Sequence, residues 1–211
     1  MTELAWGLLG VTALVAIADW AAVLRSLRSL EYVVKPAVMV GLIAVAVALH
    51  PVSSVERALF VVALALGLVS DVFLMLPRDM FLAALVAALV EHVAYIAAFR
   101  ARDFDLTVLV VALLIALVSV AVFLPRIVRA LRGRHPNLMT PVFAYVAVFA
   151  VMVASAGGTG SVVALAGALL FFYSDAILAW NRFVNPIPFG RIVNIVPYHL
   201  GQALLVVSLV T

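Results

Sequence analysis

Two stretches of this chain carry an acid where acids are scarce. LVSDVFLMLPRD (68–79) and FYSDAILAWNRF (172–183) each set an Asp directly after a Ser inside an apolar run, giving Asp71 and Asp175. A charge at the centre of a membrane helix costs about 2.5–3.5 kcal/mol on insertion scales, so an intramembrane carboxylate is first read as functional. Two carboxyls facing one cavity suit acid–base chemistry, one delivering a proton and the other activating water. Nucleophilic alternatives are weaker. Each Ser lies about 100° around a helix from its Asp, there is no G-x-S-x-G elbow, and no cysteine is present. No HExxH or comparable ligand spacing occurs, and no metal or cofactor is expected.

The surrounding elements must be membrane helices. Of 211 residues, 68% are hydrophobic and 11% charged, and the mean hydropathy is +1.31. Apolar runs are about 20 residues long, enough to cross a hydrocarbon core at 1.5 Å per residue, and barrel-type alternation is absent. The expected fold is all-α, with eight transmembrane helices in one bundle and a single integral membrane domain over 1–211. Spans are expected at about 4–24, 34–49, 56–76, 79–99, 106–124, 138–156, 160–180 and 191–211. Pro36 is placed in the first turn of the second span, and Pro51, Pro77, Pro125, Pro136, Pro186 and Pro188 mark turns. The first span, which starts without a basic flank, is expected to be a retained helix.

Lys and Arg set the expected orientation. The odd-numbered connections hold Arg25, Arg28, Lys35, Arg78, Arg126, Arg129, Arg132, Arg134, Arg182 and Arg191, against Arg57, Arg100 and Arg102 on the other side. Ten against three predicts both termini on the non-cytoplasmic side. The sequence pI of about 9.7 is thereby explained by topology and anionic lipid, without nucleic acid. The echo between SDVFLM and SDAILA, four spans apart, points to a parallel four-plus-four pseudo-repeat.

On this topology Asp19, Asp71 and Asp175 lie roughly 8 Å from the cytoplasmic ends of their helices. Tyr145, Tyr198 and His199 lie roughly 11 Å in, and Lys35 starts its span. One polar layer in the inner leaflet results. Gly67 is one turn before Asp71, and Tyr198 and Gln202 share a face. Glu91, His92 and Tyr95 sit nearer mid-membrane, and the roles of Glu91 and His199 stay open.

The sequence resembles the YhhN-like membrane family, whose characterised members are lysoplasmalogenases. The resemblance covers nearly the whole chain. It is carried by Lys35-Pro36, GLVSDVFLML (67–76), FLAALVAALVEHVAYIAAF (81–99), Tyr145 with Met152, GALLFFYSDAILAWNRF (167–183) and YHLGQALLVVS (198–208). Two departures are Ser70, where the family often has Gly, and Glu91, where a small residue commonly precedes the His. The resemblance implies hydrolysis of the sn-1 vinyl ether of a lysoplasmalogen to a fatty aldehyde and a glycerophospho-alcohol. Asp71 and Asp175 are then the acid/base pair, oriented by His92 and Tyr198. Lys35, Asn181 and Arg182 are expected to hold the phosphate of the lysophospholipid, with Tyr95, Tyr145, Gln202 and Asp19 also on the substrate. The alternative is a lipid or small-molecule transporter using the same cavity. A bacterial inner membrane is the expected location.

Overall fold

The computed structural model describes residues 1–211 and contains eight membrane-length helices. They are α1 (Glu3–Leu24), α2 (Arg28–Ala48), α3 (Ser54–Met75), α4 (Phe81–Phe99), α5 (Leu106–Arg134), α6 (Met139–Gly158), α7 (Val162–Ala179) and α8 (Gly190–Val207). A π-helical turn, Trp180–Val184, follows α7. Apolar side chains such as Val11, Leu14 and Ile17 on α1, and Val111, Leu114 and Val118 on α5, point outward. Water would not tolerate that surface, whereas lipid does, and the chain is an integral membrane protein.

Consecutive helices pair as α1–α2, α3–α4, α5–α6 and α7–α8. Further contacts join α2 to α3, α4 to α6, α6 to α7 and α8 to α2. The helices α2, α3, α4, α6, α7 and α8 therefore close a ring, with α1 and α5 packed outside it. Each ring contact recurs four helices along the chain, in the parallel sense implied by the two Ser-Asp segments.

The two ends of the bundle are built differently. Side chains cap the first turns of α1, α3, α5 and α7, all at one end, through Thr2, Ser53, Asp105 and Ser161. At the same end Arg102 approaches buried Glu56 at 3.4 Å and donates to the carbonyls of Ser208 and Thr211. Thr2 Oγ1 donates to the Ala48 carbonyl at 2.8 Å. These bonds staple that end shut. At the opposite, basic end, neither α2 nor α8 has a side-chain cap.

Two expected boundaries are corrected. The second helix starts at Arg28, two turns before the apolar run, because Ser26 takes a left-handed backbone (φ 57°) that reverses the chain just ahead of it. Pro36 and Lys35 thus lie inside the helix, away from its first turn. Pro125 does not end α5, which continues to Arg134. The proline ring is exposed, Ile127 and Leu131 beyond it are buried, and Arg126 donates to the Val122 carbonyl at 3.0 Å. Outward placement of the ring and burial of the following turn let the helix absorb the missing N–H.

Close approach of α7 and α8 depends on glycine. A Cβ at Gly201 would lie 2.8 Å from the Phe171 nitrogen and 2.9 Å from the Gly167 carbonyl oxygen. Both obstacles are backbone, so the helices would have to separate. Gly201→Ala is expected to destabilise the protein by about 1–3 kcal/mol. The control Gly7→Ala, where nothing lies within 4 Å, is expected to leave the melting temperature in detergent unchanged or slightly raised.

Candidate active site

The ring encloses a cavity of about 420 Å³, lined mostly by apolar side chains. Asp71 from α3 and Asp175 from α7 both line it. Lys35 Nζ lies 2.9 Å from Asp71 Oδ1, and the Tyr198 hydroxyl donates to Oδ2 of the same group at 2.8 Å. Asp175 receives a hydrogen bond from the Tyr145 hydroxyl on Oδ2 and a long one, 3.4 Å, from its neighbour Ser174 on Oδ1. No cation contacts it. One carboxyl is therefore ion-paired and the other is held by neutral donors.

Neither serine is placed as a nucleophile. Ser70 Oγ donates to the Ala84 carbonyl at 3.0 Å, fastening α3 to α4. Ser174 is fully buried and does not line the cavity, and its carbonyl accepts from Asn194 Nδ2 at 2.7 Å, fastening α7 to α8.

A third acid reaches the cavity. Glu91 is 1% exposed, and its Oε1 accepts from Gln202 Nε2 at 2.7 Å. Gln202 Oε1 in turn accepts from the Tyr95 hydroxyl at 2.6 Å. Space for the Glu91 carboxyl comes from Gly67, where a Cβ would lie 2.6 Å from Oε1.

Arg28, Glu31, Asn181, Arg182 and Arg191 line the mouth. Arg191 pairs with Glu31. The wide π-helical turn brings Asn181 against Gly190, the first residue of α8, and its Oδ1 accepts from the Ile187 N–H at 2.9 Å. Arg182 grips Asp79 with contacts of 2.9 and 2.7 Å and stacks 4.3 Å above the Phe81 ring. The Phe81 N–H, and then the Arg182 guanidinium, hold the Asp79 carboxyl below its ordinary range.

Of the residues expected in the site, Lys35, Asp71, Tyr145, Asp175, Asn181, Arg182 and Tyr198 line this one space. The other four, His92, Tyr95, Gln202 and Asp19, do not line it. His92 is fully buried with both ring nitrogens unpartnered, packed edge-on against Phe149 at 3.9 Å and Phe171 at 5.1 Å between centroids. It bonds to neither Asp. It instead forms the wall behind Tyr145, 5.0 Å away. Tyr95 and Gln202 stand behind Glu91. Asp19 is fully buried with both oxygens unpartnered, while Lys35 pairs with Asp71. His199, whose role the sequence left open, accepts from Trp20 Nε1 at 3.1 Å outside the cavity.

The mouth residues Glu31, Arg191 and Asn194 escaped the sequence reading. A signal existed: Arg191, Asn194, Tyr198 and Gln202 follow a 3-4-4 spacing that marks one helix face, and Glu31 and Lys35 are four apart.

The model of the YhhN family matches residues 30–209. The chain belongs to the YhhN family. Among curated proteins, this YhhN protein is 31% identical over 146 residues to lysoplasmalogenase TMEM86B of Rattus norvegicus, covering 69% of this chain and 59% of that protein. It is 34% identical over 150 residues to lysoplasmalogenase TMEM86B of Sus scrofa, covering 69% and 61%. The chain thus spans about three-fifths of the length of the curated relatives it matches. No solved structure matches the YhhN chain.

Gln202 is the sole protein partner of both Glu91 and the Tyr95 hydroxyl. Gln202→Leu strands two buried polar groups at about 1–3 kcal/mol each, and a clear drop in melting temperature is expected. Glu91→Gln, which keeps a partner for Gln202, should melt near wild type.

Proposed function

We propose that this protein is a lysoplasmalogenase-like hydrolase that opens the sn-1 vinyl ether of a lysophospholipid by acid/base catalysis from Asp71 and Asp175. The observation that carries the reading is that both carboxyls line one apolar cavity with different partners, Lys35 and Tyr198 on Asp71 and Tyr145 on Asp175. Relatives named lysoplasmalogenases support the choice of substrate.

The chemistry assigns a task to each group. A vinyl ether is protonated on the alkene carbon remote from oxygen, which leaves an oxocarbenium-like cation at the carbon bearing the oxygen. Asp175, the carboxyl without a cation, is the proton donor, and Tyr145 fixes its direction. Asp71 carries the counter-charge of Lys35; it faces the cation and orients the water that adds to it. The resulting hemiacetal collapses, the C–O bond to glycerol breaks, and the alcohol oxygen takes a proton. One water is consumed, and one aldehyde and one glycerophospho-alcohol leave. Apolar cavity walls accept the chain, while Asn181, Arg28 and Arg191 at the mouth face the phosphate end.

The whole chain acts as one membrane domain in this reading. The basic end faces the cytoplasm of a bacterial inner membrane, both termini lie on the other side, and substrate enters from the cytoplasmic leaflet. A carrier could use the same cavity but needs two compartments, whereas an enzyme turns over in detergent.

Purified protein given a lysoplasmalogen should release aldehyde, and none from the saturated alkyl analogue. In D2O the aldehyde should carry one deuterium on the carbon next to the carbonyl. Asp71→Asn and Asp175→Asn are each expected to lower turnover by roughly 10²–10⁴-fold. Near-normal rates in both variants would end this mechanism.

A further inference from the structure

A second concave site lies outside the ring, where α5 runs past the other helices. Its ten residues beyond Leu124 stay helical and turn two faces in different directions. Ile127 and Leu131 are buried. Arg126, Arg129 and Arg134, at i, i+3 and i+8, face an open groove of about 590 Å³ between α5 and the π-helical turn. Trp180, Phe183 and Asn185 form the opposite wall.

Three features distinguish this groove from a general excess of positive charge at the basic end. No acidic side chain lines it, and three arginines converge on it. Topology alone requires bases near the membrane but does not require them to converge on one hollow. The groove also has an apolar side: the Arg126 guanidinium carbon lies 5.8 Å from the Trp180 ring centroid, and Phe183 and Val184 complete a surface suited to methylenes. Cationic donors beside an indole at helix-end depth fit a phosphate group with acyl chains attached.

We propose that this groove binds an anionic glycerophospholipid, with Arg126, Arg129 and Arg134 on the phosphate and Trp180 and Phe183 against the glycerol and first methylenes. The site is separate from the catalytic cavity, although Phe183 is part of both walls, and it does not depend on the reaction assigned to that cavity.

The test compares full-length wild type with two triple variants of equal charge loss at the same end. One is Arg126→Gln/Arg129→Gln/Arg134→Gln; the other, outside the groove, is Arg25→Gln/Arg78→Gln/Arg132→Gln. Each is reconstituted with mixed phosphatidylglycerol and phosphatidylcholine, and bound lipid is counted by native mass spectrometry. Wild type and the control variant are expected to retain phosphatidylglycerol over phosphatidylcholine. The groove variant should retain roughly tenfold less or lower still, with an unchanged melting temperature in detergent. Excess inorganic phosphate should not displace the lipid. Equal loss in both variants, no preference in wild type, or displacement by phosphate would each overturn the proposal.

Discussion

Charge in hydrocarbon has to be compensated, and the ion pair between Lys35 and Asp71 is where this bundle does it most directly. Lys35 extends from α2 and Asp71 from α3, so their contact joins two members of the ring at its polar layer. Tyr198 brings α8 onto the same carboxylate. Across the cavity Tyr145 joins α6 to α7 through Asp175. The polar groups that face the cavity are therefore also cross-links of the ring. Removing the cation from Asp71 would do more than change a local charge, because it would leave a buried acid on a helix that the rest of the ring packs against.

The difference between the two ends follows from the same accounting of polar groups. At the stapled end, caps on four helices and the carbonyl contacts of Arg102 occupy helix-end backbone groups, and the same Arg102 stands 3.4 Å from the buried acid Glu56. At the basic end the first turns of α2 and α8 keep their N–H groups free of side-chain caps, and these turns carry Arg28, Glu31 and Arg191 to the cavity mouth. One end is thus closed, and the other carries charged side chains to the cavity mouth. The close packing of Gly167 against Gly201 brings α7 and α8 near enough for Asp175 and Tyr198 to face the same space.

Much of this arrangement was legible in the residues. Hydropathy gave eight helices, and the repeated Ser-Asp pair located two of the cavity acids. Depth counting put Tyr145 and Tyr198 in their layer. What failed has identifiable causes. Arg28 and Glu31 read as a loop because a hydropathy window penalises charges that a cavity-facing turn can hide. Pro125 read as a stop because local rules do not know that its ring faces outward while Ile127 and Leu131 anchor the next turn. His92 carries a chemically versatile side chain, but its surroundings are aromatic rings that no one-dimensional spacing displays. Glu91 was visible as an oddity, and only the packing explains how it is accommodated.

That accommodation links two positions on neighbouring helices. The hollow above Gly67 is filled by the Glu91 carboxyl, so the absent side chain of one residue is the room occupied by the other. Residues 67 and 91 are therefore coupled neighbours: a methyl group gained at 67 would push the end of the Glu91 side chain aside, and with it the carboxyl's bond to Gln202, whereas a shorter residue at 91 would leave room for that methyl.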